Sequence, residues 1–405
     1  MRAPVRTSHL WLPFTQMRCF DPSSRTFVHG EGTSLVDSRG RRVFDAVSSI
    51  WTIVHGHCHP RIAHAIARQA SELDHATLLG ATNPVAEELA ERLSALTGMD
   101  RVFFASDGAS AVEAAIKIAL QYWRNRREPQ RTRFVRLAGA YHGDTTGAMS
   151  LSGIELFKER FGAITFETRA FDAAHVWAGD VAAVIVEPLV QAAAGLRIVP
   201  AHTYAQLADI EPLLIVDEIA TGFGRTGTMF AVEQLGLSPD LLCLGKSITG
   251  GSLALSATLA TSRVFEAFDG AYGDFVHFFH GHSYAGNPIA CAAALASLEL
   301  FDEENTLANA AAIARRIEER LSRLSEHELV REARQAGTMT GIEIAADRLE
   351  AYDAPTPAWQ IASGLYERGH FTRPIGDTIQ FVPPLSSDPV EIDAFFDAFE
   401  AEIAR

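Results

Sequence analysis

Lys246 follows the apolar run Leu241-Leu-Cys-Leu-Gly, and Asp217 with Glu218 follows Leu213-Leu-Ile-Val. Glu187-Pro188 closes Val181-Ala-Ala-Val-Ile-Val. Arg101-Val-Phe-Phe-Ala ends in Ser106-Asp-Gly108-Ala109-Ser110, and Arg133-Phe-Val-Arg-Leu is followed by Gly139-Ala-Tyr141-His142-Gly143-Asp144. An amine is a nucleophile towards carbonyls, carboxylates and a phenol hold or move protons, and a Gly-containing segment opening a helix binds an anion.

The elements that carry these residues are legible in the pattern. The five runs are rich in β-branched and aromatic residues and read as buried strands, with intervening segments long enough for helical crossovers. Val112, Ala115, Ala119 and Trp123 recur at helical spacing over 111–123. Alternating strands and helices predict an α/β chain with a mainly parallel sheet covered on both faces. Ligands then gather at the carboxyl ends of the strands, where the polar residues stand. Beyond about residue 300, Ile313, Ile317, Leu321 and Leu324 mark one amphipathic helix, and Ile392, Phe395, Phe396, Phe399 and Ile403 another. Met339–Ile344 and 378–382 read as strands between them, and the strand candidates 33–36 and 42–45 join the same smaller α+β unit. The expected organisation is an N-terminal segment 1–50 joining the small domain, a large domain 51–300 and a C-terminal small domain 301–405.

The set on this edge suits pyridoxal 5'-phosphate (PLP), which must be tied covalently, protonated at its ring nitrogen, stacked and gripped by its phosphate. Lys246 would make the covalent tie, and Asp217 would pair with the protonated ring nitrogen. Taken singly, a strand-terminal lysine is usually solvated and a strand-terminal aspartate usually caps a helix; their occurrence on one edge favours the chemistry. Gly222-Phe-Gly224-Arg-Thr-Gly227 matches a dinucleotide fingerprint, but Asp217 and Glu218 precede it and no helix pattern follows. His55, His57 and His59, and His277, His280 and His282, sit in loop-like sequence without carboxylates at ligand spacing, so no metal is expected.

Composition narrows the partners. With 35 Lys and Arg against 50 Asp and Glu, the chain of 405 residues carries a net charge of −15, which disfavours nucleic acid. Four cysteines without CxxC spacing, no stretch of membrane-spanning length and no signal-like N-terminus lead us to expect a cytoplasmic protein with no membrane partner.

The blocks LLIVDEIATGFGRTG (213–227) and PDLLCLGKSITGG (239–251) resemble the cofactor signature of the class III aminotransferases, and the similarity covers nearly the whole chain. The resemblance implies fold type I, with a mainly parallel seven-stranded central sheet, and catalysis by Lys246, Asp217 and Tyr141. It implies Tyr141 and Ile219 on the two faces of the cofactor ring and Gly108 and Ala109 at its phosphate. His282 and Ser283 would also bind cofactor, Ser283 from the partner subunit of a homodimer with shared active sites. Ala109 departs from the Ser or Thr usual there, which removes a side-chain bond to phosphate and leaves the backbone cradle. Within the class, HLWLPFTQM (9–17), VSSIWTIVHGH (47–57), YHGDTTGAMS (141–150), FFHGHSYAGNP (278–288) and TRPIGDTIQFVPPL (372–385) are most similar to the branch that aminates 8-amino-7-oxononanoate in biotin biosynthesis. That similarity implies Arg373 at the substrate carboxylate, and Trp51, Phe14, Ile50, Asp144 and Gly281 around the substrate. Phe14, Ile50, Ile375 and Gln380 replace groups that members using S-adenosylmethionine carry, so L-lysine is the expected amino donor. Two other readings stand beside this one: an omega-aminotransferase for another long-chain amine, and a catalytically silent regulator on the same fold, against which Lys246 and Asp217 argue.

Overall fold

A computed structural model describes residues 9–19, 25–171, 179–208, 210–345 and 356–404. All five predicted runs are strands of one seven-stranded sheet, ordered Arg101–Ala105, Ser256–Ala260, Leu241–Leu244, Leu213–Asp217, Val181–Val186, Arg133–Arg136, Arg169–Ala170. Leu213–Asp217 runs parallel to both neighbours, as do the pairs that lead outward to Arg169–Ala170. Ser256–Ala260 alone is antiparallel, pairing with Leu241–Leu244 on one side and Arg101–Ala105 on the other. The link from Leu244 back to Ser256 is too short for a helical crossover, and Gly250 and Gly251, at φ 65° and 90°, turn the chain round. The sequence SATLA lacks the β-branched run that marks the other strands, which hid it.

Every residue of Val181–Val186 and Leu213–Asp217 is buried, because the sheet is covered on both faces. Alternate side chains supply two cores: Val184, Val186, Leu214, Val216, Leu242 and Leu244 pack on one side, and Ile185, Leu213, Ile215, Leu241 and Cys243 on the other. The helix Gly108–Asn125, longer than the predicted 111–123, covers the second face through Val112, Ala115, Ala119 and Trp123. Between Asp217 and Leu241 the expected helical crossover is not formed. Phe223, Gly224 and Gly227 adopt φ of 59°, 86° and 107°, a left-handed backbone that no α-helix accommodates, and only the short 3-10 turn Ala231–Gln234 follows.

The predicted helices of the C-terminal part run Thr306–Leu324 and Pro389–Ile403. They pack on an antiparallel sheet of Val330–Ala336, Met339–Ile344, Thr378–Phe381 and Pro374–Ile375. This separate core holds Ile313, Ile317, Phe381, Phe395, Phe396 and Phe399, and takes Phe44 and Ala46 from the N-terminal part. Phe381 stacks on Phe395 at 4.1 Å. Ser34–Asp37 and Arg42–Asp45 lie in a second small sheet with Phe27–Glu31, where His370–Phe371 pairs with Arg42–Asp45. No helix among the described residues is long and apolar enough to cross a membrane, and Cys58, Cys243 and Cys291 are free thiols.

Candidate active site

The helix Gly108–Asn125 begins where the strand Arg101–Ala105 ends. Asp107 caps it, accepting the Ser110 N–H at 3.0 Å, and the Ser256 hydroxyl donates to the Asp107 carbonyl at 2.6 Å. The antiparallel strand thus steadies a helix N-terminus whose first amides have no intrahelical acceptor. A Cβ on Gly108 would lie 2.8 Å from Ile219 Cγ2, so only glycine lets the helix approach the segment after Asp217 this closely.

Asp217 is buried at its strand end. One carboxylate oxygen accepts the Ile219 N–H at 3.0 Å and the other meets His142 Nδ1 at 2.7 Å. His142 is buried as well, and its Nε2 has no protein partner. This imidazole was not singled out from sequence, although it lies beside Tyr141 in the segment after a strand, where polar residues were expected to gather. Glu187 accepts the Tyr141 and Ala192 N–H groups at 3.0 and 3.2 Å. Burial pushes its carboxyl up to about 7; His142 opposes the shift and Asp217 adds to it. Glu218 accepts from the Thr221 hydroxyl at 2.6 Å and the Val232 N–H at 2.7 Å, and burial raises it to about 7 also.

Lys246 has φ 43°, a left-handed conformation uncommon for a side-chain-bearing residue and typical of strained functional positions. Its Nζ lies 5.3 Å from the centroid of the Trp51 ring. The side chain keeps some access to the cavity, yet burial of the amine lowers its pKa against the pull of Asp217 and Glu187. The Tyr141 hydroxyl donates to Asp144 at 2.8 Å, and burial followed by that carboxylate raises the phenol's pKa.

Trp51, Gly108, Ala109, Tyr141, Asp144, Asp217, Ile219 and Lys246 line one cavity of about 510 Å³, joined by Asp107, His142, Glu187 and Thr221. The size is usual for a small-molecule site. Phe14, Ile50, Gly281, His282, Ser283 and Arg373 are not in this lining. Gly281 and Ser283 are exposed on a loop, and His282 Nε2 lies 3.5 Å from the Ser106 hydroxyl. Phe14 and Arg373 are connected to the cavity indirectly. Tyr141 meets Phe157 edge-on at 5.9 Å, Phe157 meets Phe14 at 5.3 Å, and Arg373 Nη2 donates to the Phe14 carbonyl at 3.4 Å. Among the described residues no carboxylate pairs with Arg373, whose guanidinium is partly desolvated.

The turn that carries Trp51 is unusual. Ser48, Ser49, Ile50 and Trp51 have φ of 49°, 47°, 66° and 67°, four consecutive left-handed residues without a glycine. Such a conformation costs about 1–2 kcal/mol per residue. Side chains hold it: the Ser48 hydroxyl donates to the Val382 carbonyl at 2.7 Å, and the Ser49 hydroxyl to Asp45 at 2.8 Å. Asp45 also meets His57 Nε2 at 2.9 Å. Arg225, fully buried, donates to the Ile53 and Pro383 carbonyls at 2.7 and 2.8 Å. The GxGxxG-like block therefore serves as a structural clamp through its arginine.

The residues present fit PLP. A desolvated amine, a buried carboxylate, an aliphatic face at Ile219, a phenol and a helix N-terminus with glycine at its tip converge on one cavity. Ala109 offers no hydroxyl, so the phosphate would rest on backbone amides there. Among the described residues no cluster of His, Cys, Asp and Glu is arranged to hold a metal ion.

Comparison with known proteins adds four findings. Residues 20–403 match the family described as Aminotransferase class-III. An adenosylmethionine-8-amino-7-oxononanoate aminotransferase of Aquifex aeolicus is 40% identical, over 97% of this chain and 94% of the relative. Of solved structures, the adenosylmethionine-8-amino-7-oxononanoate aminotransferase from Methanocaldococcus jannaschii superposes with a TM-score of 0.89 at 37% identity, covering 97% of both chains. An amine transaminase from an uncultivated Pseudomonas species, in its PLP-bound form, reaches 0.91 at 32% identity over 99% of both.

Proposed function

The chain belongs to the class III aminotransferases, PLP-dependent transaminases of fold type I, and from that membership we propose that it aminates 8-amino-7-oxononanoate in biotin biosynthesis. The observation that carries the substrate is Arg373, a half-buried guanidinium with no carboxylate partner among the described residues, reached from the cavity along Tyr141, Phe157 and Phe14. A long apolar acid needs an apolar path with one fixed cation at its end.

The cofactor, when bound, supplies a carbonyl exchanged between amines and a ring that draws electrons from the carbon losing its proton. Lys246 Nζ, lowered in pKa by burial, would hold the cofactor and serve as the group that takes up and returns that proton. Asp217, oriented by His142 and the Ile219 amide, would favour a proton on the ring nitrogen. Ile219 and Tyr141, both in the cavity lining, would pack on the ring, with Asp144 orienting the Tyr141 hydroxyl. The amides of Gly108 and Ala109 at the helix start would hold its phosphate.

For the donor, the names of the relatives point to S-adenosylmethionine, whereas the residues that would meet an adenosyl group point to L-lysine. Ile50 and Ile375 present alkyl groups, and both ends of the Gln380 amide are engaged within the protein. A site without partners for the adenosyl group gains little transition-state stabilisation from it, so we retain lysine. The same reading includes a cytoplasmic homodimer and the division at 1–50, 51–300 and 301–405. Exposed Leu79, Phe275, Phe279 and Tyr284, near the loop of His282 and Ser283, are suited to cover by a second copy.

The test is turnover of 8-amino-7-oxononanoate by the PLP-loaded protein with a panel of donors. Production of 7,8-diaminononanoate supports the substrate. Turnover only of unrelated long-chain amines would transfer the protein to the omega-aminotransferase reading that its likeness to the amine transaminase favours. Reaction with S-adenosylmethionine and none with lysine would overturn the donor alone.

A further inference from the structure

We propose that Gln380 is a positioning residue that sets the acid-binding end of the site relative to Lys246; this rests on the reading of Arg373 as the carboxylate anchor. Gln380 is fully buried on the strand Thr378–Phe381. Its side-chain carbonyl accepts the Trp51 indole N–H at 2.8 Å, and its amide nitrogen donates to the Arg373 backbone carbonyl at 2.6 Å. The orientation of the amide is determined by its partners. An indole nitrogen only donates and a backbone carbonyl only accepts, so the flipped amide would oppose like groups at both ends. The Thr372 hydroxyl returns a bond to the Gln380 backbone carbonyl at 2.5 Å, so the backbone entering Arg373 is tied on both sides.

The two ends of this amide reach different parts of the site. The centroid of the Trp51 ring lies 5.3 Å from Lys246 Nζ, at the end of a left-handed turn whose backbone does not favour that position by itself. Arg373 projects from a short stretch before the strand pair of Pro374–Ile375 with Thr378–Phe381. One buried amide thus spans the wall beside the reacting amine and the origin of the arginine. An apolar residue of the same size would leave the indole N–H and the Arg373 carbonyl without partners, a cost that favours movement of one or both. Gln380 has no exposed surface to offer a substrate, so its effect is exerted through Trp51 and Arg373.

The experiment compares Gln380→Met, Gln380→Glu and Arg373→Ala in the PLP-loaded enzyme. Gln380→Met is expected to raise the KM for the oxo acid roughly tenfold, with kcat changed less than about threefold. Gln380→Glu supplies the signature that a purely structural role would not produce. Its protonated carboxyl can accept from Trp51 and donate to Arg373, whereas the ionised form can only accept. Burial favours the neutral form; Arg373 and, across the Trp51 ring, Lys246 favour the ionised one. The ratio of its KM to the parent's should therefore be near one at low pH and climb towards the Gln380→Met value as pH rises. If Gln380→Met does not fold, this pH-dependent ratio decides alone. A KM within twofold of the parent for Gln380→Met, or a flat ratio for Gln380→Glu, overturns the inference provided Arg373→Ala raises KM. If Arg373→Ala leaves KM unchanged, the anchor reading itself fails.

Discussion

The carboxyl edge of the central sheet and the left-handed turn at Ser48–Trp51 both wall the cavity that contains Lys246, and they are held by different means. Asp217 and Glu187 stand at the ends of strands whose every residue is buried and laddered, and the ladder itself delivers them to one edge. The Ser48–Trp51 turn has an unfavourable backbone and depends on tethers from the remote residues Val382, Gln380 and Arg225 and from nearby Asp45. The reacting groups are thus carried by the rigid layer, and one wall of the substrate path by a strained segment that can be retuned without touching the sheet.

Perturbing the two regions should therefore give different outcomes. On the sheet edge, Lys246→Ala is expected to fold with a melting temperature near the parent's, to retain some PLP through the phosphate cradle, and to lose both the visible band of the covalently held cofactor and turnover. Near-native turnover would remove Lys246 from its role. Asp217→Asn keeps the side chain's shape and removes its charge, so kcat should fall by roughly 10²–10⁴ while the oxo acid's KM moves little. A KM effect that exceeded the kcat effect would place Asp217 in substrate binding instead.

A weaker, pH-dependent consequence of the sheet edge comes from Glu187 and Glu218. Both are raised from 4.5 to about 7 by burial, so between these values the folded state binds more protons than the unfolded state. Their contribution to stability is fully present below about pH 4.5 and is lost as pH rises through about 7. Thermal melts across that window should show the decline, and Glu218→Gln should flatten its slope; an unchanged slope would mean that Glu218 does not titrate there.

The strained turn should respond in the opposite sense to substitution. Ile50, a β-branched residue at φ 66°, is partly exposed, and asparagine tolerates this conformation better. Ile50→Asn is expected to stabilise the protein by about 1 kcal/mol, a rise of a degree or two in melting temperature. A lower melting temperature would show that packing of Ile50 outweighs the backbone term.

The amino-acid sequence by itself determined five of the seven strands of the central sheet, the edge on which Lys246, Asp217 and Glu187 stand, and the helices Gly108–Asn125, Thr306–Leu324 and Pro389–Ile403. Apolar runs and helical periodicity are local signals, and a polar residue after a buried strand marks the edge whichever strand it pairs with. The antiparallel strand Ser256–Ala260 carried too weak a local signal, and the left-handed turn carried none: SSIW has no glycine to announce it. Only the tertiary structure paired His142 with Asp217, turned Arg225 into a clamp, and placed Gln380 between Trp51 and Arg373. These contacts join residues far apart in the chain, and each forms because burial leaves a polar group no partner except the one that folding brings beside it.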